Sequence, residues 1–168
     1  MSVPKKVTGF LAKAGIRYEP LEHKTVYIAV DKAATLRLKQ NVIAKTLIVS
    51  ADKKLLMTVI PGNKILCKNK FKKVLNSYQK GKKEKAARSI DFISEATMKK
   101  NFPGIKLGAI PPFGLMWKME VCIDSSLLKN RYIVVNGGNY ESSIKITPSA
   151  LKKTALSLMA GDISKAKK

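Results

Sequence analysis

The chain has 168 residues, of which 45% are hydrophobic and 26% charged. Those proportions describe one globular domain with a sizeable core and exclude wholesale disorder. Lys and Arg total 33 against 11 acids, a formal net charge of +22; the partner to expect is nucleic acid, with an anionic membrane surface or a merely solvated lysine-rich surface as alternatives.

Short helices and short strands alternate along the chain. Residues 4–14 read as a helix, with Ser2 as cap, Pro4 in the first turn, Phe10, Leu11 and Ala14 on one face and Gly15 as the stop. Residues 16–22 read as a strand, and Asp31 as the cap of a helix over 32–39. The β-branched run from Val42 to Val49 reads as a central strand. The polar turn from Ala51 to Lys54 then leads into a second strand from Leu55 to Ile60, a hairpin that Pro61-Gly62 stops.

A helix is predicted over 69–78, capped by Asn69, with Phe71, Val74, Leu75 and Tyr78 as its apolar stripe. The stretch from Lys80 to Lys83 reads as a basic loop, residues 87–90 as a short strand, and Ser94 to about Lys100 as a helix. Residues 108–114, Gly-Ala-Ile-Pro-Pro-Phe-Gly, suit no regular element. Strands follow at 119–124, 131–136 and about 142–146, with Gly137-Gly138 as a turn. Thr147-Pro148 starts a helix running through Leu151, Ala155 and Leu158. These elements make a single α+β domain over 1–160, a mixed β-sheet flanked by short helices, and 161–168 reads as a frayed, Lys-rich tail.

Several chemistries are missing. No apolar run approaches the roughly 18 residues of a membrane span, and the stretch from Met1 to Lys6 leads into no long apolar segment. A cytoplasmic chain with no membrane partner is the expectation. Cys67 and Cys122 match no metal or redox spacing and read as buried thiols in a reducing compartment. The one histidine, His23, reads as a surface or packing residue between Glu22 and Lys24. No phosphate-binding or serine-nucleophile motif occurs, and no metal or cofactor is expected. An enzyme of this sequence must rely on backbone donors, a lysine, or its own substrate.

Three features remain. Lys45 interrupts an apolar strand, beside Ile43, Leu47 and Val49 on one face. Its ammonium either lines a cleft, aimed at a phosphate or carbonyl, or reaches water from the strand's end. The 108–114 loop either presents backbone donors to a ligand or merely turns the chain. Its prolines have no N–H, so donors come only from Gly108, Ala109, Ile110, Phe113 or Gly114. The third feature is a basic tract of Lys64, Lys68, Lys70, Lys72, Lys73, Lys80, Lys82, Lys83, Lys85 and Arg88, opposed only by Glu84. Such a patch favours a phosphate backbone without base specificity, unless it is simply a solvated face.

These segments carry a resemblance. The run from Val42 to Val49 resembles the V-x-K-T-L-V-V strand of the YbaK/ProX family of trans-editing aminoacyl-tRNA deacylases. The segment from Thr58 to Asn63 resembles its V-V-P-G-D/N strand end, and Gly108–Gly114 its G-x-x-x-P-F-G loop. The strand with Asp124 and the helix start from Thr147 to Leu151 follow in the same order. The match runs from about residue 16 to 158 and extends to the editing insertion of bacterial prolyl-tRNA synthetases.

The resemblance implies hydrolysis of the ester of a mischarged tRNA, with a small amino acid such as Cys or Ala on tRNA-Pro, without metal, and in some members beside prolyl-tRNA synthetase. It implies that Lys45 holds the terminal phosphate or the ester, and that Gly108 with its loop surrounds the aminoacyl ester. Thr46, Gly62, Asn63, Ala109, Ile110, Pro112, Phe113 and Gly114 are then the substrate-binding residues. The stretch from Ser142 to Lys145, where an acid or apolar alternation is expected, departs from the pattern. A non-catalytic RNA-binding module that keeps the fold, or an accessory protein docked on a synthetase, is the other reading.

Overall fold

The computed structural model describes residues 2–167. Helix α1 (Lys5–Lys13) buries Val7 and Leu11. Gly15, at φ 66°, lets the Ile16 N–H turn back to the Leu11 carbonyl. Pro4, not Ser2, stands at the N-cap, its carbonyl accepting from the Val7 and Thr8 N–H groups. Strand β1 is only Glu19–Glu22. Helix α2 (Ala29–Leu36) begins three residues earlier than Asp31 indicates, so Asp31 sits inside the first turn and the backbone of Ile28 takes the cap position.

Strands β2 (Ala44–Ala51) and β3 (Lys54–Pro61) form the expected hairpin. Asp52 and Lys53 turn it with φ of 48° and 75°, the left-handed pair that matches strand twist. Strand β4 (Lys64–Leu66) follows, which sequence pattern missed because three residues carry no period. Helix α3 (Lys68–Gly81) is longer than expected; it starts from Cys67 rather than Asn69 and takes Lys80 and Gly81 out of the basic loop. Strand β5 is Ile90–Phe92, shifted from the 87–90 reading. Helix α4 (Glu95–Asn101) is capped as expected, Ser94 Oγ accepting from the Thr97 N–H at 3.2 Å.

Strands β6 (Val121–Asp124), β7 (Ile133–Asn136) and β8 (Ser142–Ile146) lie where expected. Helix α5 (Pro148–Lys152) has its cap in Thr147 but stops early. Leu158, expected on that helix, opens strand β9 (Leu158–Gly161), because hydrogen bonding beside β6 outweighs helix propensity there. Nor does the tail fray: strand β10 (Ser164–Ala166) pairs antiparallel with β4, and Ile163 is fully buried. Lys168 lies outside the described residues.

The main sheet has the order β5-β2-β3-β6-β9, with antiparallel pairs to β3 and parallel pairs from β3 to β9. A second sheet, β1-β8-β7, packs on one face; Ile48, Val59 and Ile123 meet Ile133, Val135 and Ile144 there, with Val7 and Leu11 of α1. On the other face Val49, Leu56, Ile60 and Cys122 meet Phe71 and Leu75 of α3. This is the mixed-sheet α+β domain that the element pattern implies. Of the two thiols, Cys122 is buried and pushed up to about 12 by burial and then by Asp124, whereas Cys67 is only half-buried.

Asp124, at the end of β6, ties the last strand down. One oxygen accepts from Ser126 N–H and Oγ, the other from the Ile163 N–H at 3.2 Å and Ser164 Oγ at 2.6 Å. Those bonds hold its carboxyl below the usual range against the opposing effect of burial. They also set where residues 165–167 emerge.

Candidate functional site

Strand β5 pairs only with Val49–Ala51 of β2, while just before β2 Ile43 forms a parallel bridge to Val134 of β7. Against residues 43–47 a cleft of about 280 Å³ opens. The start of α2 forms one wall, through Tyr27, Ile28, Ala29, Val30 and Lys32. Gly62, Gly108 and Ala109 come from the ends of β3 and of the central loop; Asn136, Asn139 and Tyr140 come from the β7–β8 turn. Lys167 reaches it from the segment that Asp124 pins.

Lys45 lines this cleft, half-buried, with Leu47 and Val49 on its strand face. No carboxylate lies within ion-pair distance of it among the described residues. Burial and then the neighbouring charge of Lys167 lower its pKa from the ordinary lysine value. Of the two sequence readings, the cleft is the one observed. Thr46, also on the lining, is 8% exposed, and its buried Oγ1 has no hydrogen-bond partner among the described residues. An unpartnered buried hydroxyl is costly, so Thr46 is an unusual residue at this position.

The other expected site residues divide. Gly108 (φ 80°) and Ala109 line the cleft with Lys45. The Ala109 N–H is already given to the Lys106 carbonyl at 3.0 Å, which removes it as a donor, whereas the Gly108 N–H has no acceptor among the described residues. Gly62 also lines the cleft, but its N–H goes to the Ile43 carbonyl at 2.7 Å and a Cβ on it would meet Ala29 Cβ at 2.7 Å. It is glycine so that α2 can close over β3. Asn63 is exposed and lies outside the cleft wall.

Ile110, Pro112, Phe113 and Gly114 are buried away from the lining. Phe113 stacks on Phe10 in the core, and a Cβ on Gly114 would lie 2.3 Å from the Met119 carbonyl. These four build the loop rather than touch a ligand, because two apolar residues flanking the prolines anchor it from below.

The basic tract lies apart from the cleft, none of its residues lining it. Lys64 is on β4, and Lys68, Lys70, Lys72, Lys73 and Lys80 are on α3. Several are occupied internally: Lys70 with Asp162 and the Ser164 carbonyl, Lys72 with the Arg88 carbonyl, Lys82 with Glu120, and Lys68 over the Phe92 ring at 4.9 Å. Lys73, Lys80, Lys83, Lys85 and Arg88 are exposed. His23, read as a surface or packing residue, contacts the Lys24 carbonyl through Nδ1 and Ser143 Oγ through Nε2.

Among the lining residues that sequence reasoning missed are Lys32, Asn136, Tyr27, Tyr140 and Lys167. Lys32 is 7% exposed, and its Nζ donates to Asn136 Oδ1 at 2.9 Å. Its position on the Ala29, Ala33, Leu36 stripe was the available signal, since a lysine on the buried face of a helix is unusual. Asn136 in turn donates from Nδ2 to the Ile110 carbonyl at 3.3 Å. Tyr140 gives its hydroxyl to the Leu107 carbonyl at 2.7 Å and meets exposed Tyr27 edge-to-face at 4.8 Å. Nothing in sequence pattern links Lys167 to the site.

Together, the fold and site define a domain whose cleft carries three lysines and no acid on its walls among the described residues. The chain belongs to the aminoacyl-tRNA editing domain family, whose model matches residues 23–154. Solved structures share the fold. A candidate trans-editing enzyme for prolyl tRNA synthetase superposes with a TM-score of 0.80 at 17% identity, covering 96% of both chains. The hypothetical protein APE2540 superposes with a TM-score of 0.80 at 22% identity, over 95% of this chain and 99% of its own. A scaffold redesigned to present linear epitopes follows at 0.75 and 16%, covering 97% of each. No curated protein matches the chain.

Proposed function

We propose that the protein is a trans-editing deacylase that hydrolyses the ester joining a wrongly attached amino acid to tRNA. The observation that supports it best is that Lys45 and Gly108, distant in sequence, line one cleft together with Thr46, whose buried hydroxyl has no partner among the described residues. Water attacks the acyl carbon, the carbonyl oxygen becomes an oxyanion, the bond to the ribose oxygen breaks as the carbonyl re-forms, and the ribose oxygen takes the proton that the water gives up.

Such an ester needs no strong nucleophile. It needs positioning and charge stabilisation, and an oxyanion donor contributes roughly 3–4 kcal/mol. In this reading the Gly108 N–H and Thr46 Oγ1 are the neutral donors, and protonated Lys45 holds the terminal phosphate or the ester oxygen. A phosphate beside Lys45 restores the proton affinity that burial lowers, so the ammonium acts as a cation rather than as a base. Tyr27 at the rim offers a ring face to an unstacked terminal base. The exposed lysines of the basic tract bind the tRNA body. Small acyl groups, alanine or cysteine on proline tRNA, are the reference substrates, and prolyl-tRNA synthetase is the partner to test by co-purification.

Purified protein incubated with alanyl- and cysteinyl-tRNA-Pro should release free amino acid. Lys45→Ala should lower release at least about a hundredfold with an unchanged thermal unfolding midpoint. Full release by that variant removes Lys45 from the mechanism. Tight tRNA binding with no release from any mischarged tRNA replaces the enzyme with an RNA-binding module.

A further inference from the structure

The ammonium of Lys32 has no role in the reading above. It is 7% exposed and lines the cleft, and its one polar partner among the described residues is the neutral amide oxygen of Asn136. No acid lines the cleft, and Lys32 has no carboxylate within ion-pair distance among the described residues. Burying an ammonium against a single neutral acceptor costs several kcal/mol, and an apolar residue of similar length would fill the space at no such cost. Asn136 is held in position by its own donation to the Ile110 carbonyl, so its oxygen stays aimed at Lys32. The remaining two donor positions of the ammonium are therefore open to an occupant of the cleft.

The three lysines differ in depth. Lys167 is exposed, Lys45 is half-buried and Lys32 is buried. A polyanionic RNA end meets the outer two first, and only the acyl group at its tip is small enough to reach the third. On the deacylase reading, we propose that Lys32 and Asn136 form a side-chain subsite that selects aminoacyl esters carrying an oxygen acceptor, a carboxylate above all. Within small acyl groups the order is aspartyl, then seryl, then alanyl, because only the carboxylate offsets the buried charge in full. Lys32 is a specificity residue; the bonds made and broken in hydrolysis stay as described for any acyl group.

The test separates binding from turnover. Adenosine 5′-monophosphate derivatives carrying a 3′-amide-linked aspartyl or alanyl group cannot be hydrolysed, and calorimetry reads their affinity directly. The aspartyl derivative should bind at least about tenfold tighter than the alanyl one, the size of one charge-assisted hydrogen bond. Lys32→Met should abolish that preference while leaving the affinity for adenosine 5′-monophosphate itself unchanged; a thermal unfolding midpoint at or above wild type shows that the variant folds. Asn136→Asp, which supplies an internal carboxylate, should also abolish it with the lysine still present.

Equal affinity for the two derivatives, or a preference that survives Lys32→Met, overturns the subsite. An equal loss of adenosine 5′-monophosphate binding in Lys32→Met gives the ammonium to the phosphate and overturns it too. Hydrolysis of aspartyl- and alanyl-tRNA, measured in parallel, tests the deacylase reading separately. A binding preference without turnover sinks the enzyme and keeps the subsite; turnover without the preference does the reverse.

Discussion

Lys32 loses proton affinity to burial, to about 8 from the ordinary 10.5. The sign of the consequence follows from proton counting. Between about pH 8 and 10.5 the unfolded chain holds a proton on this residue that the folded chain does not, so stability rises with pH across that window. Below pH 8 both states are protonated and the cost of the buried charge is fully present. At about 1.4 kcal/mol per pH unit the recovered stability is about 3 kcal/mol at most. Other polar side chains, Lys45, Lys167, Tyr27 and Tyr140, line the same cleft. The measurement is therefore the difference between wild type and Lys32→Met in urea unfolding at pH 7 and pH 10. Lys32→Met should be the more stable protein at pH 7, and its advantage should shrink at pH 10.

Strand β10 pairs with β4 and is tied down further by the Asp124 carboxylate and by Lys70, which donates to the Ser164 carbonyl. Removing that carboxylate leaves the Ile163 N–H and the hydroxyls of Ser126 and Ser164 without their acceptor. Asp124→Ala should cost about 3 kcal/mol in urea unfolding and should speed amide exchange selectively over residues 163–166. A uniform increase across the molecule would show that the strand does not open on its own. The carboxyl's pKa is held low in the fold, so its contribution is present above about pH 4, where the unfolded group ionises, and is lost as pH falls through the folded value. Acid should therefore loosen this strand before it unfolds the hairpin of β2 and β3. Lys167 follows three residues after Ser164, so the same change should raise KM for mischarged tRNA more than it lowers kcat.

Across the whole molecule, the net charge of +22 is spread unevenly. The cleft holds three lysines, and the exposed part of the basic tract lies beyond its walls, on and after α3. Binding of tRNA should weaken steeply with salt. Replacing Lys73, Lys80, Lys83 and Lys85 together by Gln should flatten the plot of log affinity against log salt by about 0.7–0.9 per lysine that meets a phosphate. The rate at saturating substrate should stay the same. An unchanged slope makes this helix a solvated face and puts the RNA elsewhere.

Some of this architecture was legible before any coordinates. The β-branched and apolar runs of β2 and β3, the Asp-Lys turn between them, the Ser94 and Thr147 caps and the loop at 108–114 are local signals. Each arises from backbone sterics and side-chain hydrogen bonds within a few residues of the chain. Lys45 was legible for the same reason, as one charge in an apolar strand. Tertiary structure alone decided the rest. Leu158 reads as helix and pairs as strand because β6 offers it hydrogen bonds. The tail reads as frayed and is held because Asp124, far back in the chain, accepts from it. Phe113 and Gly114 read as ligand contacts and are core because Phe10 and the Met119 carbonyl occupy the space beside them. Lys32, Asn136 and Lys167 share a cleft only because the fold brings α2, the end of β7 and the residue after β10 together. Which buried charge acquires which partner depends on such long-range placement, and no local pattern encodes it.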